Sequence, residues 1–200
     1  MHLRQPALSL AVVLLSLSPL VAWEEGDEAK CPASGVYLNQ PFGFRVTIPE
    51  GLSGCPNSPT WATDHGVLIV LDLQAGATIE CYGAFNAATY ETPEEISDWG
   101  IKYLGENATS GSVRITERVR STVSGLFAER TVVQFEQSES GIPMVRDAIE
   151  ILSADRSFHG LPSHLYSIVL ITTGERYLAD RAVFDQVVSS WQYIPNDKGR

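Results

Sequence analysis

The chain has 200 residues, 44% of them hydrophobic, with 14 Lys and Arg against 24 Asp and Glu and a formal net charge of −10. This acidic balance excludes recognition of nucleic acid or anionic membrane through a basic surface. The apolar content excludes a disordered chain, and the length suits one domain with a real core.

Residues 1–22 read as a secretory signal. His2 and Arg4 make a weakly basic start, Ala7 to Leu15 an apolar core, and Ser18-Pro19-Leu20-Val21-Ala22 ends on a small residue. The apolar run is short for a membrane span of about 20 residues. Cys31 stands too far beyond it for lipid attachment. Cleavage after Ala22 would leave 200 − 22 = 178 residues and, with one Arg removed, a charge of 13 − 24 = −11. The expectation is a soluble periplasmic or secreted protein, not inserted in the membrane after cleavage. Residues 23–35 read as a loose polar arm, 36–194 as the domain and 195–200 as a tail.

The domain opens with a hairpin. Val36-Tyr37-Leu38 is followed by the turn-prone Asn39-Gln40-Pro41, and then Phe42, Phe44, Val46 and Ile48 alternate onto one face. Glu50 to Gly66, rich in Gly, Pro, Ser and Asn, reads as a long loop. Val67 to Leu73 and Ile79 to Asn86 read as strands. Thr92-Pro93-Glu94-Glu95 is a capping box with proline at the first helical position. Ile96, Trp99, Gly100, Tyr103 and Leu104 then share a helical face, with Gly105 as the expected stop. Val113–Arg120, Leu126–Phe135 and Met144–Leu152 predict an antiparallel meander. Ser153 to His164 is a second long loop. Leu165 to Thr172 is a near-continuous apolar run, suited to a strand covered on both faces. Tyr177, Phe184, Val187, Val188 and Trp191 then mark a closing helix, with Asp180 or Thr173 able to cap it. The predicted class is α+β, an antiparallel sheet of about six to seven strands covered by helices as a single-domain α/β/α sandwich.

The three cysteines of an exported chain predict one bridge and one spare thiol. Cys55 and Cys81 both flank predicted strands, so Cys55–Cys81 is the expected pair, with Cys31–Cys81 as its rival. The bridge should contribute about 3–4 kcal/mol on the chain-entropy model.

Catalytic signatures are sparse. The chain has no Gly-x-Ser-x-Gly, His-Glu-x-x-His or Ser-x-x-Lys motif and no phosphate-cradling glycine loop. Glu94-Glu95 complement a helix N-terminus rather than forming an acid–base pair. Asn107-Ala108-Thr109 is a glycosylation sequon only in a eukaryotic setting. No cofactor and no metal ligand set is expected. The histidines remain: His65 follows Asp64 in the first long loop, and His159 and His164 lie with Asp155 in the second. Counting chain reversals, with the capped helix returning the chain down the sheet over about 20 Å, puts both loops at one end. Asp64, His65, Asp155, His159 and His164 should therefore share one rim; exposed loop histidines of no special role are the plainer reading.

Phe42-Gly43-Phe44-x-Val46-x-Ile48-Pro49-Glu50-Gly51 after a tyrosine and a short turn, and Phe184-x-x-Val187-Val188-x-Ser190-Trp191-x-Tyr193 after an apolar strand, resemble the opening and ending of the PsbP-like superfamily. The resemblance spans about Val36 to Ile194. It implies an antiparallel sheet between helices and a mostly non-catalytic role, as in photosystem accessory subunits, transport cofactors, chaperones and envelope proteins. The matched positions are packing positions, so no functional residue carries over. Two functional classes follow. One is an exported non-catalytic binding protein, such as an inhibitor, an immunity-type partner or an envelope-assembly factor, meeting another protein through its long loops. The other is a small metal-dependent or histidine-using hydrolase built on His65, His159 and His164.

Overall fold

The computed structural model describes residue 31 and residues 33–56, 65–153 and 164–195. The signal segment, most of the arm, the end of the tail, and Asp64, Asp155 and His159 lie outside the described residues. Twelve elements follow in chain order: β1 (Val36–Asn39), β2 (Phe44–Thr47), β3 (Ser53–Pro56), β4 (Gly66–Asp72), β5 (Ala77–Phe85), α1 (Pro93–Asn107), β6 (Arg114–Val123), β7 (Leu126–Glu136), β8 (Pro143–Leu152), β9 (His164–Thr173), α2 (Tyr177–Ser190) and β10 (Gln192–Tyr193).

Local chemistry explains most boundaries. Thr92 Oγ1 accepts from the Glu95 amide at 3.3 Å, and the Glu95 carboxylate reaches back to the Glu91 amide at 2.7 Å. The capping box is formed, with its return arm one residue further out than the ideal pattern. The helix runs through Gly105 and ends at Ala108, in extended conformation, whose amide donates to the Leu104 carbonyl. Gly105 meets no neighbour and keeps φ below zero, so nothing there forces the left-handed turn that would end the helix. The β6–β7 hairpin closes on Ser124 and Gly125, with φ of 51° and 79°, the two left-handed residues of a tight turn whose twist matches the strands. Helix α2 begins after Arg176 with no side-chain cap. Neither Thr173 nor Asp180 caps it: Asp180 is buried inside the helix, where Thr172 donates to it and Arg176 pairs with it at 3.1 Å.

Seven strands form one antiparallel sheet in the order β3-β4-β5-β9-β8-β7-β6, and β1-β2-β10 form a small second sheet. Strand β9 lies at the centre of the large sheet and is almost wholly buried, as a continuous apolar run requires. The hairpin of β1 and β2 pairs with β10, a two-residue strand after α2, rather than joining the large sheet. The first long loop is partly a strand, since β3 pairs along β4 as the sheet's edge. Helix α1 covers one face, over β7 and β8; α2 and the small sheet cover the other. The class is the α+β architecture read from the sequence, in one domain.

The main core lies under α2 and the small sheet. Phe44, Tyr166, Ile168, Phe184 and Trp191 are fully or nearly fully buried there. Trp191 stacks on Phe44 at 6.0 Å between ring centroids and meets Tyr166 edge-on at 5.2 Å. Trp99 and Tyr103 do not join a core: half-buried on the flank of α1, they stack on each other at 5.6 Å.

The disulfide joins Cys31 to Cys55, and Cys81 is a buried free thiol, which overturns the expected Cys55–Cys81 bridge. The register gives the reason. Cys55 lies opposite Leu68, and Leu68 opposite Glu80, whereas Cys81 lies opposite Val67. Side chains alternate across a sheet, so Cys55 and Cys81 point to opposite faces, two strands apart. Cys31 reaches Cys55 because Ala33 pairs with Gly54 along the outer edge of β3, through reciprocal hydrogen bonds of 3.0 and 2.8 Å. The last part of the arm is therefore tied to the sheet edge and is not loose.

Candidate functional site

From β4 onward the chain reverses as counted among the described residues. Strand β5 ends at Phe85 beside the start of β9 at His164, and α1 returns the chain so that β6 begins at the opposite end. Pro56, His65, Ser153 and His164, which flank the two long loops, all lie at one end of the sheet. Glu50 does not: the chain enters β3 at Ser53, opposite Val70, some way down the sheet.

Two of the five predicted rim residues, His65 and His164, are described, and one ring joins them. Phe42 lies 4.8 Å from the His65 ring and 5.8 Å from the His164 ring, centroid to centroid. Phe85 completes the group, 5.5 Å from Phe42 and 5.3 Å from His164. His164 reaches this place as the direct partner of Phe85 across the β5–β9 ladder. Both histidines are half-buried, Phe42 is buried, and Phe85 is 66% exposed.

Each member is held by backbone chemistry. The buried Asn39 accepts from the Phe42 amide at 2.9 Å, an Asx-type turn in the β1–β2 connection, and donates to the Tyr37 hydroxyl at 3.2 Å. Tyr37 donates in turn to the Gly66 carbonyl at 3.1 Å, and Tyr166 to the Phe42 carbonyl at 2.8 Å. Phe42 can lie across β5 only because Gly83 is beneath it: a Cβ there would stand 2.8 Å from the Cβ of Phe42. His65 is pinned to the same glycine, its carbonyl accepting from the Gly83 amide and its Nδ1 donating to the Gly83 carbonyl, both at 2.9 Å. A carbonyl only accepts, so that bond places a proton on Nδ1. The adjoining loop is fixed by Asn86, which donates to the Tyr90 carbonyl at 2.8 Å and accepts from its amide at 2.9 Å.

The result is a preorganised platform of two phenyl rings and two imidazoles at the end of a rigid sheet. Such a surface offers apolar area and ring faces at little cost in conformational entropy. Among the described residues no three His, Cys, Asp or Glu side chains are arranged to hold a metal ion. No helix among them is long and apolar enough to cross a membrane. Phe42 and Phe85 are the site residues that sequence reasoning missed. Phe42 was visible as the first residue of an alternating strand, which reads as core; Phe85 closes the apolar stretch of β5, where position in the sheet decides whether a ring is covered.

No family model matches the chain, and no curated protein matches it either. The fold is nevertheless similar to that of solved structures of low sequence identity. The chain is similar in structure to cyanobacterial PsbP from Synechocystis, with a TM-score of 0.53 at 13% identity, over 79% of this chain and 91% of that one. It is also similar to LpqN, a protein involved in cell envelope biogenesis of Mycobacterium tuberculosis, with a TM-score of 0.54 at 10% identity, over 76% of this chain and 83% of that one.

Proposed function

We propose that this protein is an exported, non-catalytic binding protein that meets another protein through the Phe42–His65–Phe85–His164 platform and the two long loops that flank it. The observation that carries this reading is Phe85, a large ring 66% exposed on a support of buried or half-buried rings. Exposed aromatics on a rigid support are the residues that dominate binding energy at protein interfaces. Export is supported by the apolar leader and by the Cys31–Cys55 bridge, since disulfides persist mainly in oxidising compartments. The similarity in fold to LpqN, a protein involved in cell envelope biogenesis, supports choosing an envelope-assembly role over an inhibitor or immunity role. Asp64, Asp155 and His159 belong to the same proposed surface through their loops.

The test is quantitative capture from native envelope extract with wild type, Phe85→Ala and Leu178→Ala as baits. Leu178 is 82% exposed on α2 and serves as the control. A stoichiometric protein lost with Phe85→Ala and retained with Leu178→Ala supports the reading; equal loss or equal retention contradicts it.

A further inference from the structure

Helix α1 stands on two apolar footings with a polar middle. Ile96 packs with Tyr82, Ala84, Leu152 and Leu165 at one end, and Leu104 with Val133, Phe135 and Met144 at the other. Between them the β7–β8 register sets Glu129 opposite Glu150, Thr131 opposite Ala148 and Val133 opposite Arg146. Alternation then puts Glu129, Thr131, Arg146 and Glu150 on the face that α1 covers. Above them the helix presents Ser97 and Gly100, small residues three apart. The fit is close at Gly100, where a Cβ would stand 3.2 Å from Arg146 Nη2.

Part of the hydrogen-bonding capacity in this seam is used. Arg146 Nη2 donates to Glu150 Oε1 at 2.7 Å, Ser167 donates to Glu150 Oε2, and Arg118 Nε donates to Glu129 Oε1 at 2.9 Å. Four atoms of the seam are not so used. Arg146 Nη1, Glu129 Oε2, Thr131 Oγ1 and Ser97 Oγ are buried with no partner in the protein. Among the described residues only one further side-chain atom is in that state, Trp191 Nε1, in the core on the opposite face. The side chains of Arg146 and Glu129 are 7% and 3% exposed, and Ser97 and Thr131 are fully buried. Orphaned buried polar atoms are individually costly and collectively rare. Four in one seam indicate a shared partner.

The chemistry of the seam selects that partner. Arg146 already compensates Glu150, and Arg118, shared with the exposed Asp98, compensates Glu129, so an added ion would bring a further charge into a buried seam. The orphans comprise a donor, an acceptor and two hydroxyls that do both. Enclosure by a helix and a sheet, with small side chains at Ser97, Gly100, Ala148 and Thr131, suits a molecule of the smallest size. We propose that this seam is a binding site for internal water, a small cluster bridging Arg146 Nη1, Thr131 Oγ1, Ser97 Oγ and Glu129 Oε2. The cluster supplies the hydrogen bonds that seat the middle of α1 on the sheet.

The experiment combines water–protein cross-relaxation NMR on the wild type with thermal melting of Thr131→Val and Ser97→Ala. Both changes are near-isosteric and remove one hydroxyl each. The proposal expects cross-peaks between long-lived water and the Thr131 and Ser97 protons, and a fall in Tm of about 2–4 °C for each variant. It also expects the double variant to fall short of the sum, because the two hydroxyls share a partner. Absence of the water cross-peaks, or an unchanged or raised Tm in the single variants, overturns it.

Discussion

The two faces of the seven-stranded sheet are built on different plans. Under α2 and the small sheet, Phe44, Tyr166, Phe184 and Trp191 join one continuous apolar cluster. Charge is buried beside it: the fully buried Asp147 pairs at 2.6 Å with Arg130, which lies over the Phe184 ring. Under α1, two small apolar clusters are parted by the buried Arg146–Glu150 pair. The first face holds its helix by apolar area, which is strong and tolerant of small displacements. The second holds its helix by those small apolar footings and by Arg118, which donates both to Glu129 on the sheet and to Asp98 on the helix. The rim platform belongs to the first face, since Phe42 is part of that cluster; exposed Phe85 thus rests on the edge of the main apolar core.

This contrast should appear in a graded series of stability measurements. The largest loss is expected from Trp191→Ala, which empties the centre of the apolar face and should cost about 3–5 kcal/mol by denaturant unfolding. On the other face, Arg146→Met should cost about 3 kcal/mol by leaving Glu150 buried without its cation, whereas replacing both Arg146 and Glu150 with Met should recover most of that. If the double replacement were as damaging as the single one, the seam would be doing more than balancing charge. Cys31→Ser should cost about 2–4 kcal/mol and free the arm from the edge of β3, with limited proteolysis near Ala33 as the readout.

The smallest effect is one of pH and samples both faces through a single strand. Cys81 and Tyr82 are adjacent on β5 and point to opposite sides. Burial, aided by Glu80 for the thiol and by Glu150 for the phenol, pushes both groups well above their ordinary values. In each case the fold favours the neutral, protonated form. The associated stability is complete below the unfolded values, about 8.5 for cysteine and 10 for tyrosine, and is lost as pH rises through them toward the folded values. Tm should therefore begin to fall near pH 8.5, and Cys81→Ala should delay that onset toward pH 10. An onset unmoved by Cys81→Ala would mean that the thiol contributes nothing to alkaline unfolding.

Features with local causes were legible in the sequence. Thr92-Pro93-Glu94-Glu95 announces a helix start because its partners are three and four residues apart. The buried run from Leu165 to Thr172 announces a central strand, and β9 occupies the centre of the sheet. Features that depend on register between distant strands were not. The Cys31–Cys55 bridge follows from a one-residue offset across β3, β4 and β5 and from an isolated pairing of Ala33 with Gly54. Strand β10 has two residues, too few to carry a period. At the rim, the alternation of long loops and strands was enough to bring His65 and His164 to one end. It could not identify Phe42 as their common neighbour, because that contact needs the absence of a side chain at Gly83.

The central claim is that the end of the sheet bearing Phe85 is a protein-binding face. Site-specific photo-crosslinking addresses it directly, with a photoreactive phenylalanine derivative placed at Phe85 and, in parallel, at Leu178 on the exposed side of α2. Phe85 is exposed enough that its replacement should change stability by no more than about 0.5 kcal/mol. In intact cells, a discrete protein adduct from position 85 and none from position 178 is the predicted result. Adducts of equal yield from both positions, or an adduct from position 178 alone, would contradict the account.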